Sequence, residues 1–497
     1  MGTESIYLIQ YGTCLILVLG TKCSNLMDTT RVNGCHVEKS FPKIMNTLNK
    51  TVIVSASSLL SLPPSQPTNV NQIIFNIAGS IKTWRDRRSY IREWWRPNVT
   101  RGYIYFEKEP TIDILPWTYN NLPSYRVSED TTKLKMYSRH AKPDIIRIVR
   151  TILETFRERD KNVRWYIMGD DDTIFFLDNL VELLGRYDHT KYVYIGGVSE
   201  CVKSGFDVAF EMAYGGAGFA LSYPLVEALV VNLDRCIETY WYYFFGDQIM
   251  SACVADLGVP FTSEKGFHQI DLMNDISGFL SAHQQAPLIS LHHLDVASPI
   301  FPTMDRHKSV RHLMTTAKAD QSRLLQQTVC YHKPKNWSFS IAWGYSAHIY
   351  EQLIPRSILR RPLETFTPWS SIGEPPHYMF NTRSVTNNSC ETPHTFFFYS
   401  IGKHINSNNN NNNNSSNHTL TYEIVTIYVR YKPRQLPPCS SNHSADYISK
   451  IKVYSPATKL NFVENRGECC DVLTLDHGKN TAKVRIRACK KSEMIIP

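Results

Sequence analysis

The chain has 497 residues, 42% hydrophobic and 12% aromatic, which is enough apolar material for two or three packed domains and excludes a disordered polymer. Its net charge of +9 is spread along the sequence rather than gathered in a basic block. That pattern argues against nucleic-acid binding and leaves room for a small anionic substrate.

Ile6 to Gly20 is apolar with polar interruptions at Gln10 and Thr13. It is too short for a comfortable membrane span, suits the core of a secretory signal, and lacks a basic flank on its amino side. Residues 1–25 are read as a signal peptide, a short signal-anchor forming a single N-terminal membrane anchor, or the product of a mis-assigned start, and 26–70 as a stem. Sequons at Asn49, Asn98, Asn336, Asn387, Asn413, Asn414, Asn417 and Asn442 point the same way, although the Asn-rich run inflates their number. Twelve cysteines with no CxxC pair or Cys/His ladder favour disulfides over zinc. Cys469, Cys470 and Cys489 cluster near the carboxyl end with Cys390 and Cys439 upstream, and Cys201, Cys236 and Cys253 lie in the central region.

Gln72 to Gly79 reads as a buried strand followed by a helix, with Thr83 and Asp86 spaced as a capping box and Pro97 as the stop. Gly102 to Phe106 is a second strand, and a helix spans about Pro143 to Arg159. Trp165 to Phe176, WYIMGDDDTIFF, is the most informative stretch: an apolar run ends in Asp170, Asp171 and Asp172. Three adjacent carboxylates at the mouth of a core repel unless they neutralise, shift their pKa values or hold a hard divalent ion, and oxygen ligands select Mn²⁺, Mg²⁺ or Ca²⁺. Asp170 and Asp172 point the same way from an extended chain. The competing reading is an acidic loop capping a helix from Asp178. Further strands at Tyr192–Gly196 and Phe219–Leu221, and helices from Pro224 and from Asp247 to Gly258, complete an α/β alternation whose mostly parallel sheet binds ligands at its carboxyl edge. From Lys333 the texture becomes aromatic and alternating, which predicts a smaller β-rich domain over 333–497 interrupted by a disordered Asn-rich loop at 406–417.

Four segments carry candidate chemistry. Arg85 and Arg87 stand at a helix start that favours anions, or are solvated surface charges. The aspartate turn is the second segment. Gly215, Gly216 and Gly218 permit close backbone approach, to a ligand or to a neighbouring element. Asp247 opens a helix, and of the adjacent His292 and His293 one could reach a metal.

In this order the blocks QIIFNIAGSIKTWRDRRSYIREWW, WYIMGDDDTIFF, MAYGGAGFALSYP, GDQIMSACVADLGVPFTSEKGFHQID and SLHHLD resemble the Fringe-like β-1,3-glycosyltransferases. They resemble more closely the related plant group carrying domain of unknown function 604, with NWSFSIAWGY, ECCDV and KVRIRAC extending the likeness to the carboxyl terminus. The resemblance implies a GT-A fold over residues 71–332, a UDP-sugar donor, a glycan or glycoprotein acceptor, Mn²⁺ or Mg²⁺, inversion at the anomeric carbon and a Golgi lumenal setting. It also implies roles: Asp170, Asp172 and His293 as metal ligands with His292 in reserve, Asp247 as general base, and Arg85, Arg87, Asp170, Asp171, Gly215 and Gly216 around the donor. The family pattern has two acids where this chain has Asp247-Gln248, and an amide cannot take a proton. A non-catalytic sugar-nucleotide or carbohydrate-binding member of the same fold is therefore the second reading, and a metal-dependent hydrolase a distant third.

Overall fold

The computed structural model describes residues 6–11, 14–19, 67–112, 114–118, 121–371, 373–405, 422–440, 444–457 and 467–497. The chain divides into two units, Met1–Ser65 and Gln66–Pro497. In the first, Ile6–Tyr11 pairs antiparallel with Cys14–Leu19, so the expected signal or anchor core is drawn as a hairpin. Among the described residues no helix is long and apolar enough to cross a membrane. The expected Asn-rich loop at 406–417 lies outside the described residues.

The second unit carries a seven-stranded sheet in the order Phe261–Ser263, Tyr194–Gly196, Phe219–Ser222, Trp165–Asp170, Ile73–Ala78, Arg101–Phe106, Ser124–Val127. Phe219–Ser222 runs antiparallel to both neighbours and the remaining pairs are parallel. This is the mostly parallel, helix-flanked sheet that the alternation of elements predicts. Ile73–Ala78 and Trp165–Asp170 are buried along nearly their whole length, so they read as continuous apolar runs, as central parallel strands do. Their register pairs Ala78 with Asp170, which brings the first strand-to-helix turn beside the aspartates.

Ser80, in extended conformation directly after the first strand, caps Ile81–Trp94 by accepting from Lys82 N at 3.3 Å. The expected Thr83–Asp86 box does not form. Thr83 lies inside the first turn, and its hydroxyl donates to Asp171 Oδ2 at 3.2 Å. Phe175 packs edge to face on Phe75 and on Trp94, which are tilted against each other, with ring centroids 5.0 to 5.2 Å apart, and Trp94 Nε1 donates to Thr173 O at 3.0 Å.

The β-rich part is an eight-stranded sheet in the order Gln327–His332, Trp337–Ala342, Ser346–Tyr350, His394–Ile405, Tyr422–Arg430, Lys450–Pro456, Thr481–Arg487, Cys469–Asp476. It begins at Gln327, so residue 333 falls in the turn between its first two strands. One apolar core runs from Phe75 and Ile167 through Phe279 and Leu313 to Trp337 and Val484. Cys236–Cys253, Cys330–Cys470, Cys390–Cys439 and Cys469–Cys489 are bridged. Cys201 is buried and free, its thiol 3.2 Å from Ser370 O, so the central cysteines supply one bridge and an unpaired thiol.

Candidate functional site

The site assembles where the aspartate strand leaves the sheet. Asp170 N donates to Thr173 Oγ1 at 2.9 Å, and Thr173 Oγ1 donates to Gly216 O at 2.7 Å, which fastens the aspartate turn to the glycine turn. The glycine turn is closed by Gly218 N to Gly215 O at 3.0 Å, with Gly218 at φ +80°, and is held from the far side by Ala217 N donating to Gln269 Oε1 at 2.7 Å. At Gly216 a Cβ would lie 2.1 Å from His292 Cε1, so only glycine lets the imidazole enter.

His292 is the histidine that reaches the acids. Its Nε2 lies 3.3 Å from Asp172 Oδ1 and 3.7 Å from Asp170 Oδ2, and it is 4% exposed. His293, favoured by the resemblance, is turned away: at φ +59° it places Nδ1 3.0 Å from Asp271 Oδ1 and stacks on Trp369 at 4.6 Å. Ligand atoms of Asp170, Asp172 and His292 all lie within 4.8 Å of one another. Both carboxylate oxygens of Asp172 are buried without a hydrogen-bond partner. His292 and Arg87 offset its charge at ion-pair distance without hydrogen-bonding either oxygen, and oxygen ligands beside an imidazole suit a divalent cation, so the residues present fit the metal.

The electrostatics follow from this crowding. Asp170 lies deep in the cleft with 39% of its side chain accessible, and burial with the charges of Asp172 and Asp171 pushes it up to about 7 despite His292. Burial pushes Asp171 up to about 6, with Asp172 adding to it. Burial also acts against ionisation of Asp172, but His292 and Arg87 outweigh it and hold this carboxyl well below the usual range. His292 is held at about 9 because the neighbouring acids, Asp172 first, overcome its burial.

Asp171 faces away from His292. Its Oδ1 accepts from Arg87 Nη1 at 3.0 Å, and its Oδ2 accepts from Ser80 N at 3.3 Å and from the Thr83 hydroxyl. Arg87 also binds Asp295 Oδ2 at 2.7 Å and passes 3.4 Å from Asp172 Oδ1. Arg87 is thus tied to three acids while 27% of its side chain stays accessible. Arg85 is exposed on the same helix. Asp247 stands across the glycine turn, accepting from Gly215 N at Oδ2 and from Gln248 N at Oδ1, each at 2.8 Å. Burial raises its pKa against those two bonds. The Gln248 amide is turned to Val208 O at 3.3 Å. Thr173, Gln269 and Asp295 lie inside the blocks that carry the resemblance, but nothing in the sequence assigns them the contacts they make here.

The family described as "Protein of unknown function, DUF604" matches residues 205–470, more than half of the chain, including the glycine turn, Asp247 and His292. A β-1,3-glucosyltransferase of Mus musculus is 30% identical over 137 residues, covering 27% of this chain and 26% of that protein. Its Homo sapiens counterpart is 31% identical over 146 residues, covering 28% and 27%. The β-1,3-N-acetylglucosaminyltransferase lunatic fringe of Xenopus laevis is 26% identical over 193 residues, covering 37% and 48%. The chain therefore spans between about a quarter and a half of the length of these relatives. Apo mouse xyloside xylosyltransferase 1 superposes on 41% of this chain and 85% of that one, at 9% identity and a TM-score of 0.25, too weak a likeness to argue from. The match over residues 205–470 makes the chain a member of the DUF604 family, with sequence relatives among the Fringe-like β-1,3-glycosyltransferases.

Proposed function

We propose that the protein is an inverting glycosyltransferase of the secretory pathway, placed in the Golgi lumen, which moves a sugar from a UDP-sugar to a hydroxyl of a glycan or glycoprotein. The observation that carries this reading is Asp172: a fully buried carboxylate, met only by the His292 and Arg87 cations at 3.3 and 3.4 Å, grouped with Asp170 and His292 at the carboxyl edge of a mostly parallel sheet. Asp170, Asp172 and His292 would hold Mn²⁺ or Mg²⁺, which when bound neutralises the diphosphate of the leaving group. Asp247 would take the proton of the acceptor hydroxyl, since burial raises its basicity and Gly215 N and Gln248 N fix its orientation. Gly216 makes room for the His292 ring beside these acids, and the donor would lie against this turn. The exposed sequon asparagines Asn98, Asn336 and Asn387 and the bridged cysteines support an oxidising, glycosylating compartment.

The occupied oxygens of Asp247 favour a second reading, a member that binds sugar nucleotide without transferring it. The secreted protein, incubated with a panel of UDP-sugars and Mn²⁺, should release UDP. Asp247→Asn should cut that release by roughly 10²- to 10⁴-fold while donor binding persists. Donor binding without turnover in both proteins selects the second reading. Absence of Mn²⁺-dependent donor binding overturns both.

A further inference from the structure

A second cluster of ligating side chains lies apart from the aspartate turn. Glu200, just beyond Tyr194–Gly196, His268 in Phe267–His268, and His283 directly after the helix Ser277–Ala282 each offer a ligand atom, and these atoms all lie within 4.8 Å of one another. Glu200 is pinned: Oε2 accepts from Ile270 N at 2.7 Å, and Oε1 lies 2.8 Å from His268 Nδ1. Those two atoms stand side by side, as adjacent ligands of one ion would, in residues 6% and 3% exposed. His283 is clamped between Phe279, stacked at 4.6 Å, and Phe380 at 4.3 Å, so its orientation is fixed without a polar contact. The three residues border a cavity of about 320 Å³, which gives an ion a way in and room for a bound water.

The geometry points to a second metal site: Glu200, His268 and His283 bind a divalent transition-metal ion of the zinc class. Two imidazoles and one carboxylate are the ligand set that zinc accepts, with water in the fourth position, whereas Mn²⁺ and Mg²⁺ prefer oxygen. An ion here would join three chain segments, and His268 O accepts from His292 N at 3.1 Å, so the clamp would also steady the strand that delivers His292.

The test uses the full-length secreted chain without a histidine tag, carrying Asp172→Asn to disable the aspartate site. After chelation it is refilled with Zn²⁺ or Co²⁺ and metal is counted by mass spectrometry. One zinc per chain is expected, with visible Co²⁺ bands of a nitrogen-ligated tetrahedral site, and His283→Ala should weaken zinc binding by at least roughly 100-fold. His283→Gln, which keeps the stacking shape, serves if the alanine variant does not fold. If neither folds, X-ray absorption of the Co²⁺ form decides, with two imidazole ligands supporting the site and any other ligand set refuting it. No stoichiometric zinc, or unchanged affinity in a folded His283 variant, overturns the proposal.

Discussion

Adding one methyl group at Gly216 tests the site without removing any of its polar groups. The Cβ of Gly216→Ala would stand 2.1 Å from His292 Cε1, 2.4 Å from Nδ1 and 2.5 Å from Nε2. Carbon atoms settle at roughly 3.5 to 4.0 Å, so the ring must retreat by more than about 1 Å. It cannot slide toward His293, whose ring centroid is only 3.7 Å away. Gly216 has no left-handed backbone angle, so alanine adds no conformational strain and the fold should survive. A misplacement of about 1 Å in a reacting constellation costs on the order of 10²-fold, and that loss is expected in Mn²⁺-dependent UDP-sugar turnover and in Mn²⁺ affinity by calorimetry. Gly402→Ala, where a Cβ would meet nothing within 4 Å, is the control. Wild-type Mn²⁺ affinity and turnover in folded Gly216→Ala would refute the placement of His292 in the site.

Asp172→Asn should weaken Mn²⁺-dependent UDP binding by at least roughly 10- to 100-fold with little change in melting temperature, since a ligand should matter no less than the groups that orient one; equal calorimetric affinity removes the site. Replacing 406–417 with a short Gly/Ser linker should leave the melting temperature nearly unchanged, because Ile405 and Tyr422 already face each other in register across the gap; a large loss of folded yield counts against it. Glu351 is a pH reporter: burial opposes its charge, but bonds from His394, Ala445 N, Cys439 N and Arg434 hold it at about 2 against an ordinary 4.5. A depressed folded pKa gives stability that is present above 4.5 and lost as pH falls through about 2, roughly 3 kcal/mol in all. Urea unfolding from pH 7 to pH 3 should therefore show wild type losing stability relative to Glu351→Gln only below about pH 4.5, and parallel curves would contradict the assignment.

The parts of this fold legible in the sequence are those written in local pattern. Apolar runs of strand length at Ile73–Ala78 and Trp165–Asp170, with amphipathic helices between strands, specified the main sheet, and alternation specified the second. Caps and ligands were less legible because they depend on partners far along the chain. Ser80 and Thr83 compete for the cap, and what decides is Asp171, 88 residues beyond Thr83, which engages the threonine hydroxyl. His292 and His293 are indistinguishable by composition. The left-handed turn at His293, with Asp271 and Trp369 holding its ring, sends the other imidazole inward. The parallel pairing of Lys450–Pro456 with Thr481–Arg487 has no local signature at all.

The triple-aspartate turn shows why three acids stand where two would serve a metal. Alternation along an extended chain separates Asp171 from its neighbours, and the structure gives it a different task. Asp170 and Asp172 converge on His292, while Asp171 holds Ser80 N, the Thr83 hydroxyl and Arg87. Those contacts tie the aspartate turn to the first strand-to-helix turn, and Arg87 extends the tie to Asp295 beyond the histidines. Arg87 passes 3.4 Å from Asp172 as well, so one cation offsets part of the repulsion that closely packed acids would otherwise suffer. The middle aspartate and its arginine thus set where the outer two point, and the charge on Arg87 acts on the site through its acids.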